Sequence, residues 1–241
     1  MNPTFTIAGK ELRSSLNSPI AYVFILLFNV AAWGFVFHYE KFFARDEATL
    51  RGFFDHIPQL LWFLAPAMTM RLWSDERRLG TYEILATTPL TPTSMVLGKF
   101  LASWGLLALA LMFTIALPIV AHTYGDLDWG PVIGGYLATL LLGAAFLAIG
   151  LVASSLVQDQ FVALVLGWAG GLLALLPGMP FWETVVSKPV ANTMRTFDYG
   201  AHFESVARGL IDARDLLFYA SATLFFLVLN VVVVHCRRFI S

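Results

Sequence analysis

Residues 71–99 read RLWSDERRLGTYEILATTPLTPTSMVLGK, and the reading of this stretch decides the fold. It gathers Asp75, Glu76, Arg77, Arg78 and Glu83 into one short run, in a chain where only 13% of residues are charged. Long apolar segments lie on both sides of it. Apolar residues make up 58% of the 241 positions, whereas soluble domains are nearer half apolar and about a quarter charged. One globular core of this size does not absorb that excess, so the bilayer is the expected solvent. The polar island is then a segment held outside lipid, placed to touch something soluble.

The gaps between charges map the spans. No Asp, Glu, Lys or Arg occurs between Arg13 and Glu40, Asp55 and Arg71, Lys99 and Asp126, Asp128 and Asp159, Asp159 and Glu183, or Asp215 and Arg237. A membrane helix needs about 20 mostly apolar residues. All these windows except the second are long enough, and Phe53, Phe54, Leu72 and Trp73 extend that one. The expectation is an all-α membrane protein whose single domain covers 1–241, with six spans near 19–38, 56–73, 97–120, 131–155, 161–178 and 216–236. The first window is too long for the apolar region of a cleaved signal peptide and lacks a small-x-small site after it.

Ahead of it, Phe5, Ala8, Leu12 and Leu16 recur at helical spacing while Lys10, Glu11, Arg13 and Ser14 point elsewhere, the pattern of an amphipathic helix in the membrane interface. Pro19 marks the turn into the first span. Six spans put both termini on one side. With that side cytoplasmic it carries eight basic residues, among them the pairs 77/78 and 237/238, against seven outside, a small bias in the direction of the positive-inside rule.

Several functions are excluded by missing chemistry. A net charge of −1 gives no nucleic-acid footprint. Cys236 alone supports neither an intramolecular disulfide nor a cysteine-rich zinc site. There is no Gly-x-x-x-x-Gly-Lys-Ser/Thr, no His-Glu-x-x-His and no Gly-x-Ser-x-Gly. His38, His56, His122, His202 and His235 are scattered at span ends. No ionisable residue sits mid-span, where it would mark an ion or proton path. The chain is therefore expected to bind no cofactor or metal and to be no enzyme.

Within the island, Ser74 before Asp75 and Glu76 reads as a helix start with acids in its first turn. Gly80 suits the position after a helix end. Thr81 would cap a second short helix carrying Glu83, Ile84 and Leu85, and Thr91-Pro92 reads as the cap and first-turn proline of the third span. This helix–break–helix punctuation describes a docking element.

The run from Glu76 to Leu85, then Pro89 and Gly98-Lys99-Phe100, resembles the cytoplasmic loop of ABC-2 type transporter permeases. Lys10-Glu11-Leu12 with Ser18-Pro19 and Tyr22, Pro66 to Arg71, and His202-Phe203-Glu204 with Arg208-Gly209 and Asp212-x-Arg214-Asp215 bring it nearest to the permeases of gliding-motility-type ABC systems. The resemblance implies six membrane helices, an N-terminal interfacial helix and a coupling helix between spans two and three. It implies work in pairs, with a second permease copy or related permease and with ABC ATPase subunits that bind the ATP and magnesium. An auxiliary membrane subunit with a large extracytoplasmic domain is a further possible partner. Asp75, Glu76, Arg77, Arg78 and Glu83 would form or flank the surface that meets the ATPase, and Gly80 and Thr81 would shape its turn. The implied setting is a bacterial inner membrane with both termini cytoplasmic. The implied function is to couple ATP hydrolysis to export or to mechanical signalling; the alternative is a scaffold that docks a soluble partner through 71–99 and transports nothing.

Outside, His202, Phe203, Glu204, Arg208, Asp212 and Asp215 mark the longest loop. Phe203, Val206, Ala207 and Leu210 follow helical spacing with Glu204 and Arg208 at i, i+4, which predicts a short helix on the outer membrane surface. Gly130/Gly134, Gly143, Gly150 and Gly167/Gly171 let helices approach closely, within the chain or at a dimer seam.

Overall fold

Lipid offers a backbone no hydrogen bonds, so each spanning segment must satisfy its own N–H and C=O groups. The computed structural model describes residues 3–39, 49–80, 90–179, 182, 187–210 and 212–238, and all regular structure among them is helical. In chain order the helices are α1 (Pro3–Leu16), α2 (Pro19–Gly34, prolonged by a wider turn over Phe35–Tyr39), α3 (Arg51–Asp55) and α4 (Ile57–Arg78). Next come α5 (Pro92–Thr114), α6 (Ala116–Tyr124), α7 (Trp129–Leu156) and α8 (Gln160–Leu175, running into a 3₁₀ turn over Leu176–Gly178). The last three are α9 (Lys188–Arg195), α10 (Tyr199–Ala207) and α11 (Ala213–Arg238).

Among the described residues, five segments are long and apolar enough to cross a bilayer: Pro19–His38, Pro92–Tyr124, Trp129–Leu156, Gln160–Gly178 and Ala213–Arg237. The expected span 56–73 falls in α4, which has the length at 22 residues, but Pro58, Gln59, Pro66 and Arg71 dilute its apolar character. Protein covers it instead. Ile57, Leu61, Ala65 and Thr69 are buried, and α4 packs mainly on α7 and α8.

Short polar side chains set the helix starts. Ser18 Oγ accepts from Ile20 N–H at 3.4 Å, Thr91 Oγ1 from Ser94 N–H at 3.2 Å, and Asp128 Oδ1 from Gly130 N–H at 3.0 Å. Asp159 Oδ1 accepts from Phe161 and Val162 N–H at 2.8 and 3.0 Å. Each satisfies donors that the first helical turn leaves open. The third span is broken at Ile115, between α5 and α6. Pro118 is the cause: it has no N–H for the Thr114 carbonyl, and its ring crowds that carbonyl.

The most buried of the long helices is α7, with α4, α5, α8, α10 and α11 packed around it. Its glycines make this possible within one chain. A Cβ at Gly143 would lie 2.2 Å from Leu107, and one at Gly150 would lie 2.1 Å from Thr69 Oγ1. On α8, Gly167 admits the ring of Pro66 and Gly171 admits Trp62. Two indoles lock α4 to α8: Trp62 Nε1 donates to the Trp168 carbonyl and Trp168 Nε1 to the Phe63 carbonyl, both at 2.9 Å.

The amphipathic N-terminal helix is present as α1, and part of its expected apolar stripe meets protein: Leu12 and Leu16 pack against the core. Phe5 is 68% exposed, whereas Ile7 packs at Gly98 and Glu11 turns inward. The partner surface of α1 is α5, and its geometry selects the Ile7, Glu11 and Leu12 side of the helix.

Candidate functional site

At the polar end of the bundle α1, the last turns of α4 and the first turns of α5 converge. Lys99, on α5, is only 2% exposed. Its Nζ donates to Glu76 Oε1 at 2.6 Å and to Glu11 Oε1 at 3.0 Å. The ammonium also sits 4.9 Å from the ring centroid of Trp73, which is buried, within the range of a cation–π contact. Three helices are thus joined through one cation. Glu76 lies beyond the apolar part of α4; burial raises its carboxyl above the ordinary carboxylate range, and the Lys99 ammonium beside it pulls the other way.

The expected helix start at Ser74 is corrected. α4 continues through this point to Arg78, with Ser74 buried inside it and its hydroxyl bonded back to the Met70 carbonyl. The N–H groups of Glu76 and Arg77, which a cap at Ser74 would satisfy, lie inside a continuous helix and need none. Ser154 of α7 instead ties this part of α4 to its neighbour: its Oγ accepts from Trp73 and Ser74 N–H at 3.1 and 3.3 Å and donates to the Met70 carbonyl at 2.8 Å.

The island's first charges are therefore rooted in the bundle. Asp75 accepts from the Gln160 amide at the start of α8. Arg77 donates to the Ser155 carbonyl at 3.3 Å, and Arg237 to the Leu156 carbonyl at 2.8 Å. Both cations thereby meet open carbonyls at the C-terminal end of α7, where the helix dipole favours positive charge. Arg78 is exposed, and α4 ends at Leu79 with Gly80 at φ +70°, a left-handed conformation that favours glycine. Thr81, Glu83 and the short helix expected to carry Glu83, Ile84 and Leu85 lie outside the described residues.

On the opposite end, α10 does not lie flat on a lipid surface. Phe203 and Val206 are 3% and 0% exposed, because α10 packs on α7. Gly209, at φ +84°, ends the helix and touches Gly130 and Gly134; a Cβ at Gly134 would lie 2.3 Å from the Val206 carbonyl oxygen. His202 and Asp215, both buried, pair at 2.6 Å through Nδ1 and Oδ1. The other ring nitrogen faces the Thr196 carbonyl at 3.1 Å. A carbonyl only accepts, so Nε2 is the donor in that bond. Tyr219 donates to the Tyr199 carbonyl at 2.6 Å, and His202 stacks on Phe218 with centroids 4.1 Å apart. Glu204 is exposed, bonded to Arg208 and 3.8 Å from Arg51. Asp212 Oδ1 accepts from Arg214 N–H at 3.0 Å at the entry to α11. The residues expected in the external loop divide into a buried latch, His202, Phe203 and Asp215, and an exposed set, Glu204, Arg208 and Asp212. Among the described residues no group of three or more His, Cys, Asp or Glu is placed to hold a metal ion.

Sequence reasoning did not assign Glu11, Trp73 or Lys99 to this site, although Lys99 marked the end of the polar island. For Glu11 the sequence signal is slight: it follows Ile7 at i, i+4 spacing, but which stripe of α1 faces inward is decided by α5.

A family model described as ABC-2 family transporter protein matches residues 42–196, a range that holds Glu76, Lys99 and the whole island. The chain is also 31% identical over 177 residues to a protein of Stutzerimonas stutzeri named as a probable ABC transporter permease protein, NosY. The aligned part is 66% of this chain and 62% of that protein's length.

Proposed function

We propose, on the premise that this chain belongs to the ABC-2 family of transporter proteins, that it is the membrane subunit through which separate ATPase subunits drive export or mechanical signalling. The observation that carries this reading is the Glu11–Lys99–Glu76 junction. A force applied to the segment after Arg78 enters α4 and passes to α5 and α1 through buried, charge-assisted bonds. A soft linker there would dissipate such a displacement. A junction with discrete partners transmits it as rigid-body motion.

In this reading Arg78 and Glu83 contact the ATPase, with Gly80 and Thr81 shaping the turn between them. Asp75, Glu76 and Arg77 hold the root of the lever. α4 crosses the membrane as a sixth span, with the termini and residues 71–99 on the cytoplasmic side of a bacterial inner membrane. A second permease copy completes the pathway, ATP and magnesium bind the ATPase subunits, and the auxiliary membrane subunit meets Glu204, Arg208 and Asp212 outside.

The test separates contact from stability. Arg78→Glu combined with Glu83→Lys should abolish co-purification of the ATPase in mild detergent and leave the thermal midpoint of the permease unchanged. Full retention of the ATPase by this double variant would overturn the assignment. Vanadate-sensitive ATPase activity that responds to an added lipid or peptide would distinguish export from signalling alone.

A further inference from the structure

Between α1, α2 and the last turns of α4 lies a cleft of about 370 Å³, floored by α5. That volume falls in the range of small-molecule sites, roughly 300–1,000 Å³. Its two ends differ in chemistry. Phe24, Leu27 and Leu64 give it apolar lining, and Lys10, Ser14 and Arg71 give it polar lining nearer the start of α2 and the end of α4. From Ser18 to Leu27 the axis of α2 advances about 13 Å, so the apolar part is a slot running into the bilayer from a polar rim.

The charges at the rim are unequally used. Glu11 and Glu76 share Lys99, and Asp75 accepts from Gln160. Each acid therefore has a partner. Arg71 is half-buried, and among the described residues its guanidinium has one bond, to Ser18 Oγ at 3.4 Å. Lys10 is exposed; among the described residues it makes no hydrogen bond or close ion pair, and its charge acts on Glu76 only through space. Five guanidinium N–H donors with one weak acceptor leave a strong site for an oxyanion. The positive end of the α2 dipole points the same way.

We infer that this cleft holds one membrane glycerophospholipid, its phosphodiester bound by Arg71 and Lys10 and an acyl chain laid between α2 and α4. A phosphate alone leaves the apolar slot empty, and a neutral lipid leaves the two cations unmet; a phospholipid satisfies both. The site is independent of the ATPase, and so is its test.

The full chain, purified in detergent and stripped of lipid, is titrated with phosphatidylglycerol, phosphatidylethanolamine, dioleoylglycerol or inorganic phosphate, and its thermal midpoint is read. Either phospholipid should raise the midpoint by roughly 5 °C at about 100 times its Kd; dioleoylglycerol and inorganic phosphate should not. Arg71→Gln should remove the shift, and Ala67→Leu, which narrows the slot without touching charge, should remove most of it. Arg237→Gln, a lost cation at the same end of the bundle but away from the cleft, should keep it. An equal shift with dioleoylglycerol or with phosphate alone would overturn the inference, as would an undiminished shift in Ala67→Leu, whichever way Arg71→Gln behaves.

Discussion

Replacing Lys99 by methionine would leave Glu11 and Glu76 half-buried beside each other with no cation between them. Removing one partner of a buried ionic group costs about 3–5 kcal/mol, so Lys99→Met should lower the thermal midpoint in detergent strongly. The triple variant Glu11→Gln, Glu76→Gln, Lys99→Met should recover most of the loss, because no charge then remains buried. If single and triple variants fell equally, the ionic junction would not be what ties α1 to α4. The sequence made Lys99 visible as a charge at the edge of a span. Its partners were harder to see. Glu11 shares its helical turn with Lys10 and Arg13, and periodicity alone groups it with them; only the position of α5 reveals that Ile7, not Phe5, lies on the inner face. Ser74 failed for a related reason. Its local context is a good cap, but α4 reaches it as a continuous helix from Ile57 and is held to α7 at this point by Ser154, far along the chain.

At the scale of elements, the start of α5 was legible in Thr91-Pro92, since capping is a local interaction, and Ser18, Asp128 and Asp159 cap α2, α7 and α8 in the same way. The burial of α10 was not legible. Its spacing fits a lipid surface as well as a protein one, and the choice is made by Gly130 and Gly134 on α7, which let the backbone at Val206 and Gly209 come close. The connection from α10 to α11 is held by His202 and Asp215. Asp215→Asn removes the carboxylate but keeps the shape, and should cost about 1–3 kcal/mol. The loss should be local. Amide hydrogen exchange should quicken through residues 199–207 and stay unchanged in α4. Equal acceleration in both helices would mean that the pair supports the whole bundle and not this connection.

For the whole molecule, composition and charge gaps were enough to predict an all-helical membrane protein, because they follow from the solvent and not from the packing. How the helices group was beyond them. Ridges of glycine at 143, 150, 167 and 171 could have served another chain; they serve Leu107, Thr69, Pro66 and Trp62 of this one. The two indole bonds between α4 and α8 then divide the molecule mechanically. Parting those helices in lipid would strip partners from Trp62, Trp168 and two carbonyls at once, whereas α2 touches α4 only sparsely. With exposed Cys236 replaced by serine, spin labels at Leu79 and Phe161 should keep their separation when ATP and vanadate trap the complex, and labels at Leu79 and Tyr22 should not. Under the proposed ATPase coupling the riveted pair should move as one plank, with the seam of opening between that plank and α2.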